Sequence, residues 1–175
     1  MKKLLLLGTL CAICSVSAQK KLKKIQFGIS SGVLNVATTS EGIRGTGLTD
    51  KDNFTGFYLG PMVQLSISNK FGIQGEVLYG NANSEGFIMV PIQARIGILP
   101  KLSLLLGPQA NYSLEDALNE NFTQFAVDGV GGIAFNITRK FMVQARYAVQ
   151  ITDRSKEDQF SLKNNSLNIG IGYNF

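Results

Sequence analysis

The sequence predicts an all-β chain: an eight-stranded antiparallel up-and-down transmembrane β-barrel of the smallest size class. Three observations carry that reading. From Ile25 onward the apolar residues recur at every second position in most segments, the period of a strand and not of a helix. The connections between the alternating segments are by turns short and long. Within the segments every charge falls on one face, and the other face is a continuous set of Ile, Val, Leu, Phe and Tyr. An eight-stranded interior is narrow and filled by side chains, so the small and polar set suits the lumen and the apolar set must meet lipid. A soluble periplasmic lipid-binding barrel is the inside-out alternative. It would place the apolar set inward and would need more charge than the other face carries.

The amino terminus is read first because it sets the compartment. Lys2 and Lys3, the apolar run Leu4 to Ile13 and the small residues around Ser15 to Ala18 form a signal peptide over residues 1–18, with cleavage after Ala18 and export to the cell outer membrane. Its apolar core is too short for a permanent membrane helix. Cys11 and Cys14 leave with it, so the barrel domain, residues 19–175, has no cysteine and no disulfide.

Strands are expected near 24–36, 54–67, 71–80, 87–98, 102–112, 122–136, 141–151 and 165–175, lengths suited to tilted transmembrane strands. In the last of these Leu167, Ile169, Ile171, Tyr173 and Phe175 share one face against Asn168, Gly170, Gly172 and Asn174. Ser68 to Lys70, Leu99 to Lys101 and Ile137 to Lys140 are the short turns. The other end carries the connections 37–53, 81–86, 113–121 and 152–164. Short turns belong to the periplasmic side and long loops to the outside. Lys70, Lys101, Arg139 and Lys140 join Lys20, Lys21, Lys23 and Lys24 at the short-turn end, whereas the long connections are net acidic. The basic residues are thus distributed over turns and a tail, and nucleic acid is not an expected partner. Aromatic girdles are expected from Phe71, Phe141, Tyr173 and Phe175 at one rim, and from Phe54, Tyr79, Phe87, Tyr112 and Phe122 at the other. Pro61, Pro91 and Pro108 fall inside strands of a barrel that has no free edge, and are read as bulges or rim positions.

The runs Phe57-Tyr58-Leu59-Gly60, Phe71 to Tyr79, Val90-Pro91-Ile92, Leu106-Gly107-Pro108-Gln109, Ala145-Arg146-Tyr147 and the terminal Gly170 to Phe175 stand in the order and spacing of a known family. The chain resembles the PorT-like outer-membrane β-barrel family of Bacteroidetes over essentially its whole mature length. The resemblance implies an eight-stranded barrel inserted by the barrel assembly machinery, with Tyr173 and Phe175 in the strand that machinery recognises. A few relatives assist protein secretion or gliding, and nothing in these residues selects that subgroup.

Four strand charges point inward: Glu76, Arg95, Asp128 and Arg146. Glu76 and Arg146 sit at matching depths, so an ion pair across the lumen is expected, with Arg95 and Asp128 completing a lumen charge network. Either charge alone would be costly to bury. The network reads as a polar plug, or as a gated ion path. Other signals are weak. Asp50-Lys51-Asp52-Asn53 lacks the glycine and distal glutamate of an EF-hand loop. Gly129-Val130-Gly131-Gly132 lies in a strand with no helix after it to cradle a phosphate. Asn53-Phe54-Thr55 and Asn121-Phe122-Thr123 are chance sequons. The chain has no histidine, which excludes imidazole acid-base chemistry and histidine-activated nucleophiles. No catalytic residue, cofactor or metal is expected. The expected partners are outer-membrane lipid, the assembly machinery and an unidentified extracellular or periplasmic protein, with the barrel a monomer. The expected role is structural or interactive through the outer loops. A narrow pore or secretion-accessory barrel is the second reading, and the soluble lipid-binding barrel the third.

Overall fold

The computed structural model describes residues 24–41, 49–83, 85–114, 124–152 and 161–175. Among them the ordered segments are all strands: β1 Lys24–Glu41, β2 Thr49–Ser66, β3 Phe71–Glu76, β4 Leu78–Ala82, β5 Glu85–Gly97, β6 Leu102–Ser113, β7 Phe125–Asn136, β8 Phe141–Gln150 and β9 Ser161–Asn174. β3 and β4 are halves of one stave, interrupted at Val77, so the barrel has eight. Each stave pairs antiparallel with its neighbours, and β9 returns to pair with β1, which closes the sheet. The signal-peptide reading falls outside the described residues.

The register fixes the geometry of closure. From Ile25 the ladder partners run through Leu65, Ile73, Ala94, Leu106, Gly131, Tyr147 and Leu167 and return to β1 at Asn35. One circuit therefore advances ten residues along β1. That stagger tilts the strands roughly 40° from the barrel axis. With closure no sheet edge is left to face lipid.

The expected faces are observed. Phe27, Val33, Phe57, Ile92, Ile133, Tyr147, Ile169 and Ile171 project outward and are exposed. Among the described side chains, none on the outward face of a strand is charged. A soluble barrel does not display such a band. Short-turn serine and threonine fix the hairpins there: Ser68 Oγ accepts from the Phe71 N–H at 3.1 Å, and Thr138 Oγ1 accepts from the Phe141 N–H at 2.9 Å.

Several expectations are corrected. The connection 37–53 is mostly ladder, since pairing continues from Ala37↔Asn53 to Glu41↔Thr49. β9 likewise begins at Ser161, within the expected loop 152–164. Backbone pairing needs no apolar face, so polar strands continue past the lipid band that alternation detects. Between Ala82 and Glu85 the expected connection 81–86 shrinks to a tight turn, in which Asn83 has φ 52°, a left-handed conformation that asparagine tolerates. Residues 42–48, 115–123 and 153–160, the remainder of the long connections, lie outside the described residues, as does Phe122. Asp50 to Asp52 belong to the β2 ladder, and their side chains also lie outside the described residues.

The prolines do not form bulges. The β2–β3 and β2–β4 pairings share one unshifted register on either side of Pro61 and Val77. The same holds across Pro91 and across Pro108. Each proline removes a ladder donor without inserting a residue. Val77 still donates its N–H to the Pro61 carbonyl at 3.1 Å. Phe54 and Phe87 also depart from expectation. They sit at inward positions and pack on a lumenal apolar cluster of Leu34, Tyr58, Leu78, Ala82 and Met89 instead of joining the outer girdle.

Candidate functional site: the closed lumen

The middle of the lumen is occupied by side chains from every part of the barrel wall. Period two turns Tyr58 of β2, Gln74 and Glu76 of β3, and Gln144 and Arg146 of β8 inward, and all are buried. Arg146 Nη1 donates to Glu76 Oε2 at 2.9 Å, with both side chains removed from solvent. The other carboxylate oxygen accepts from Gln74 Nε2 and from Gln144 Nε2. Gln144 Nε2 also donates to Ser30 Oγ at 2.8 Å, and Gln64 Nε2 donates to Gln74 Oε1 at 3.2 Å. Arg146 lies over the Tyr58 ring, its guanidinium carbon 5.5 Å from the ring centre. The carboxylate is thus satisfied by its cation and two amide donors, whereas Arg146 Nε and Nη2 are buried with no hydrogen-bond partner among the described residues.

The four inward charges do not form one network. Arg95 reaches Glu76 only through an amide, since its Nη1 donates to Gln74 Oε1 at 3.1 Å while its Nη2 donates to Asn136 Oδ1 at 2.8 Å. Asp128 sits elsewhere, accepting on Oδ2 from Asn111 Nδ2 and from Gln109 Nε2. Register explains the separation. Arg146 pairs with Gly132 on β7, whereas Asp128 lies four residues further along that strand. At about 3.3 Å per residue this is roughly 13 Å. The glutamines that join the plug were not singled out from the sequence. The signal was present in their inward period-two positions, as for Gln64, Gln74 and Gln144.

Two cavities flank the plug and share no lining residue. At the short-turn end a wide mouth of about 920 Å³ carries Lys24, Lys70, Arg95, Lys101 and Arg139. At the long-connection end a smaller cavity of about 310 Å³ is lined by Leu34, Phe87, Asn111, Asp128 and Asn168, among others. Tyr173 and Phe175 lie at the short-turn rim. There the Tyr173 ring packs on Phe141 at 4.8 Å and on Phe175 at 5.7 Å, with Lys140 Nζ 5.7 Å above it. Among the described residues no group of acids, histidines or cysteines is placed to hold a metal.

A closed eight-stave barrel with a lipid-facing apolar exterior and a plugged polar lumen defines a class, the small outer-membrane barrel. The profile of the outer membrane protein β-barrel domain family matches residues 6–175, and the chain belongs to that family. It is an integral protein of the outer membrane. The chain is similar in fold to Ail, the attachment invasion locus protein of Yersinia pestis, at 21% identity and a TM-score of 0.50, over 86% of this chain and 98% of that one. Neisserial surface protein A is 13% identical with a TM-score of 0.48, over 87% and 100% of the two chains. OprG from Pseudomonas aeruginosa is 14% identical with a TM-score of 0.45, over 86% and 95%. No curated protein sequence matches the chain.

Proposed function

We propose that this protein is a non-enzymatic barrel that acts through its outer connections and does not conduct. The observation that supports this most directly is the plug of Tyr58, Gln74, Glu76, Gln144 and Arg146, all buried between the two cavities. The absence of histidine from the sequence supports the non-enzymatic part. The test is purification from the outer membrane followed by planar-bilayer recording. The wild-type barrel should give no stepwise current, and its intact mass should begin at Gln19, as removal of residues 1–18 requires. Stepwise openings at neutral pH would overturn the closed reading in favour of a narrow pore. The finer placement in a PorT-like group, supported by the motif order from Phe57 to Phe175, belongs to the same proposal, as does a monomeric state.

Tyr173 and Phe175 are proposed as part of the strand read by the assembly machinery. The aromatic rim cluster also contributes packing, so the two roles need separate readouts. Deleting Phe175 should lower the outer-membrane level severalfold, while the purified variant refolds in detergent with an unchanged mobility shift on boiling. Equal membrane levels for the two proteins would remove the assembly role.

A further inference from the structure

The mouth at the short-turn end carries one sign of charge. Lys24, Lys70, Arg95, Lys101 and Arg139 line it, and among the described lining residues there is no aspartate or glutamate. The three hairpin turns that ring it, 67–70, 98–101 and 137–140, are all described. Residues 1–23, which lead into Lys24, contain no acid and supply no carboxylate to it. Arg95 is half-buried, whereas the other four cations are exposed. It donates to Gln74 Oε1, to Asn136 Oδ1 and to Met142 Sδ, all neutral, and no carboxylate among the described residues pairs with it. A guanidinium has five N–H donors, so these contacts leave some for a ligand. Solvation alone accounts for exposed turn lysines, but not for a half-buried cation held by neutral groups at the floor of a cationic mouth. A cleft lined by one sign of charge between low-dielectric walls concentrates the field inside it.

We propose that this mouth binds an acidic peptide segment of a periplasmic protein. One carboxylate reaches Arg95 at the floor, and others meet the cations of the rim. Lys70, Lys101 and Arg139 stand on the turns that join β2 to β3, β5 to β6 and β7 to β8, each two staves from the next. At about 4.8 Å per strand that is roughly 10 Å along the rim. Drawing all three onto one small anion would crowd like charges and fix long side chains. An extended chain covers the same span in about three residues at roughly 3.3 Å each, so carboxylates at every third position meet successive turns. The closed wall separates the mouth from the bilayer, and lipid headgroups meet only the outside of the rim. The volume of about 920 Å³ is near the upper end of ligand pockets, about 300–1,000 Å³, and has room for a peptide segment. Because the plug closes the lumen beyond it, the segment docks without passing through. The site lies at the opposite end of the barrel from the outer connections and stands independently of them.

The test is fluorescence anisotropy on the full mature chain in nanodiscs of zwitterionic lipid, with a dye-labelled peptide of repeated Glu-Gly-Ser and its Gln-Gly-Ser counterpart. Saturable binding of the glutamate peptide only is expected, and it should weaken as salt is raised. Arg95→Gln should lower the affinity about tenfold, as expected for loss of a charge-assisted contact. Lys101→Gln changes only an exposed turn, should lower the affinity severalfold, and decides the matter if the arginine variant does not fold. Lys140→Gln is the charge-matched control. Lys140 lies at the same rim over the Tyr173 ring but outside the mouth lining, so its loss should change the affinity by less than about twofold. Equal weakening by Lys101→Gln and Lys140→Gln would reduce the effect to general attraction and overturn the site. No saturable binding, equal binding of the glutamine peptide, or tripolyphosphate binding more tightly than the glutamate peptide would each overturn the proposal.

Discussion

Replacing Arg146 by methionine is expected to cost the folded barrel about 3–5 kcal/mol, the range seen when one partner of a buried ion pair is removed. Glu76 is 3% exposed and Arg146 is 1% exposed, so water cannot take the place of the lost cation. The carboxylate would keep the Gln74 and Gln144 amides as donors, which stabilise it but do not neutralise it. Methionine fills much of the same space, so the loss is electrostatic rather than a cavity effect. The measurement is the temperature at which the unboiled form converts to the boiled mobility, together with a urea midpoint in detergent. The double variant Glu76→Gln with Arg146→Met should recover a large part of the loss, because it removes both charges and leaves an amide among amides. A single variant as stable as the parent, or a double variant no better than the single, would show that the pair does not hold the lumen together.

The inward placement of that pair was legible because a strand gives each residue only two directions, and charge on one of them cannot face lipid. The same parity turns Arg95 and Asp128 inward, and in the structure Arg95 lines the short-turn mouth while Asp128 is buried. It says nothing about depth. Asp128 separates from Arg146 because strand tilt and register set height along the axis, and these depend on pairings between distant segments. For the same reason the bridging of Gln74 and Gln144, 70 residues apart, was out of reach. Strand ends were misjudged where apolar alternation stops before the ladder does, as at Thr38 to Glu41. Phe54 and Phe87 were misplaced for a different reason. Aromatic residues near a rim suggested a girdle, although counting in twos from Tyr58 and from Gln93 already turns both inward.

Gly170→Val should prevent the barrel from closing or destabilise it by about 3 kcal/mol or more, at or beyond the usual range for overpacking. Gly32 and Gly170 are direct ladder partners across the β1–β9 seam that shuts the sheet. Neither has a Cβ, and together they form the slot that receives the Tyr58 hydroxyl. A Cβ on Gly32 would lie 2.8 Å from that oxygen, and one on Gly170 would collide with it and with the Ser31 carbonyl. Because the Tyr58 ring carries Arg146, the slot, the ring and the Glu76 ion pair form one packed column across the lumen. A change at Gly170 therefore reaches the plug as well as the seam. Gly131→Ala is the control, since its Cβ would point outward and meet only Leu106 Cδ2 at an ordinary 3.5 Å. That variant should stay within about 0.5 kcal/mol of the parent. Tyr58→Phe should restore Gly170→Val only in part, because the Ser31 carbonyl remains in the way. Refolding yield and the mobility shift on boiling measure all of these. A Gly170→Val barrel that folds and melts like Gly131→Ala would show that the seam relaxes freely around a side chain, and the column would then be a consequence of closure rather than a condition for it.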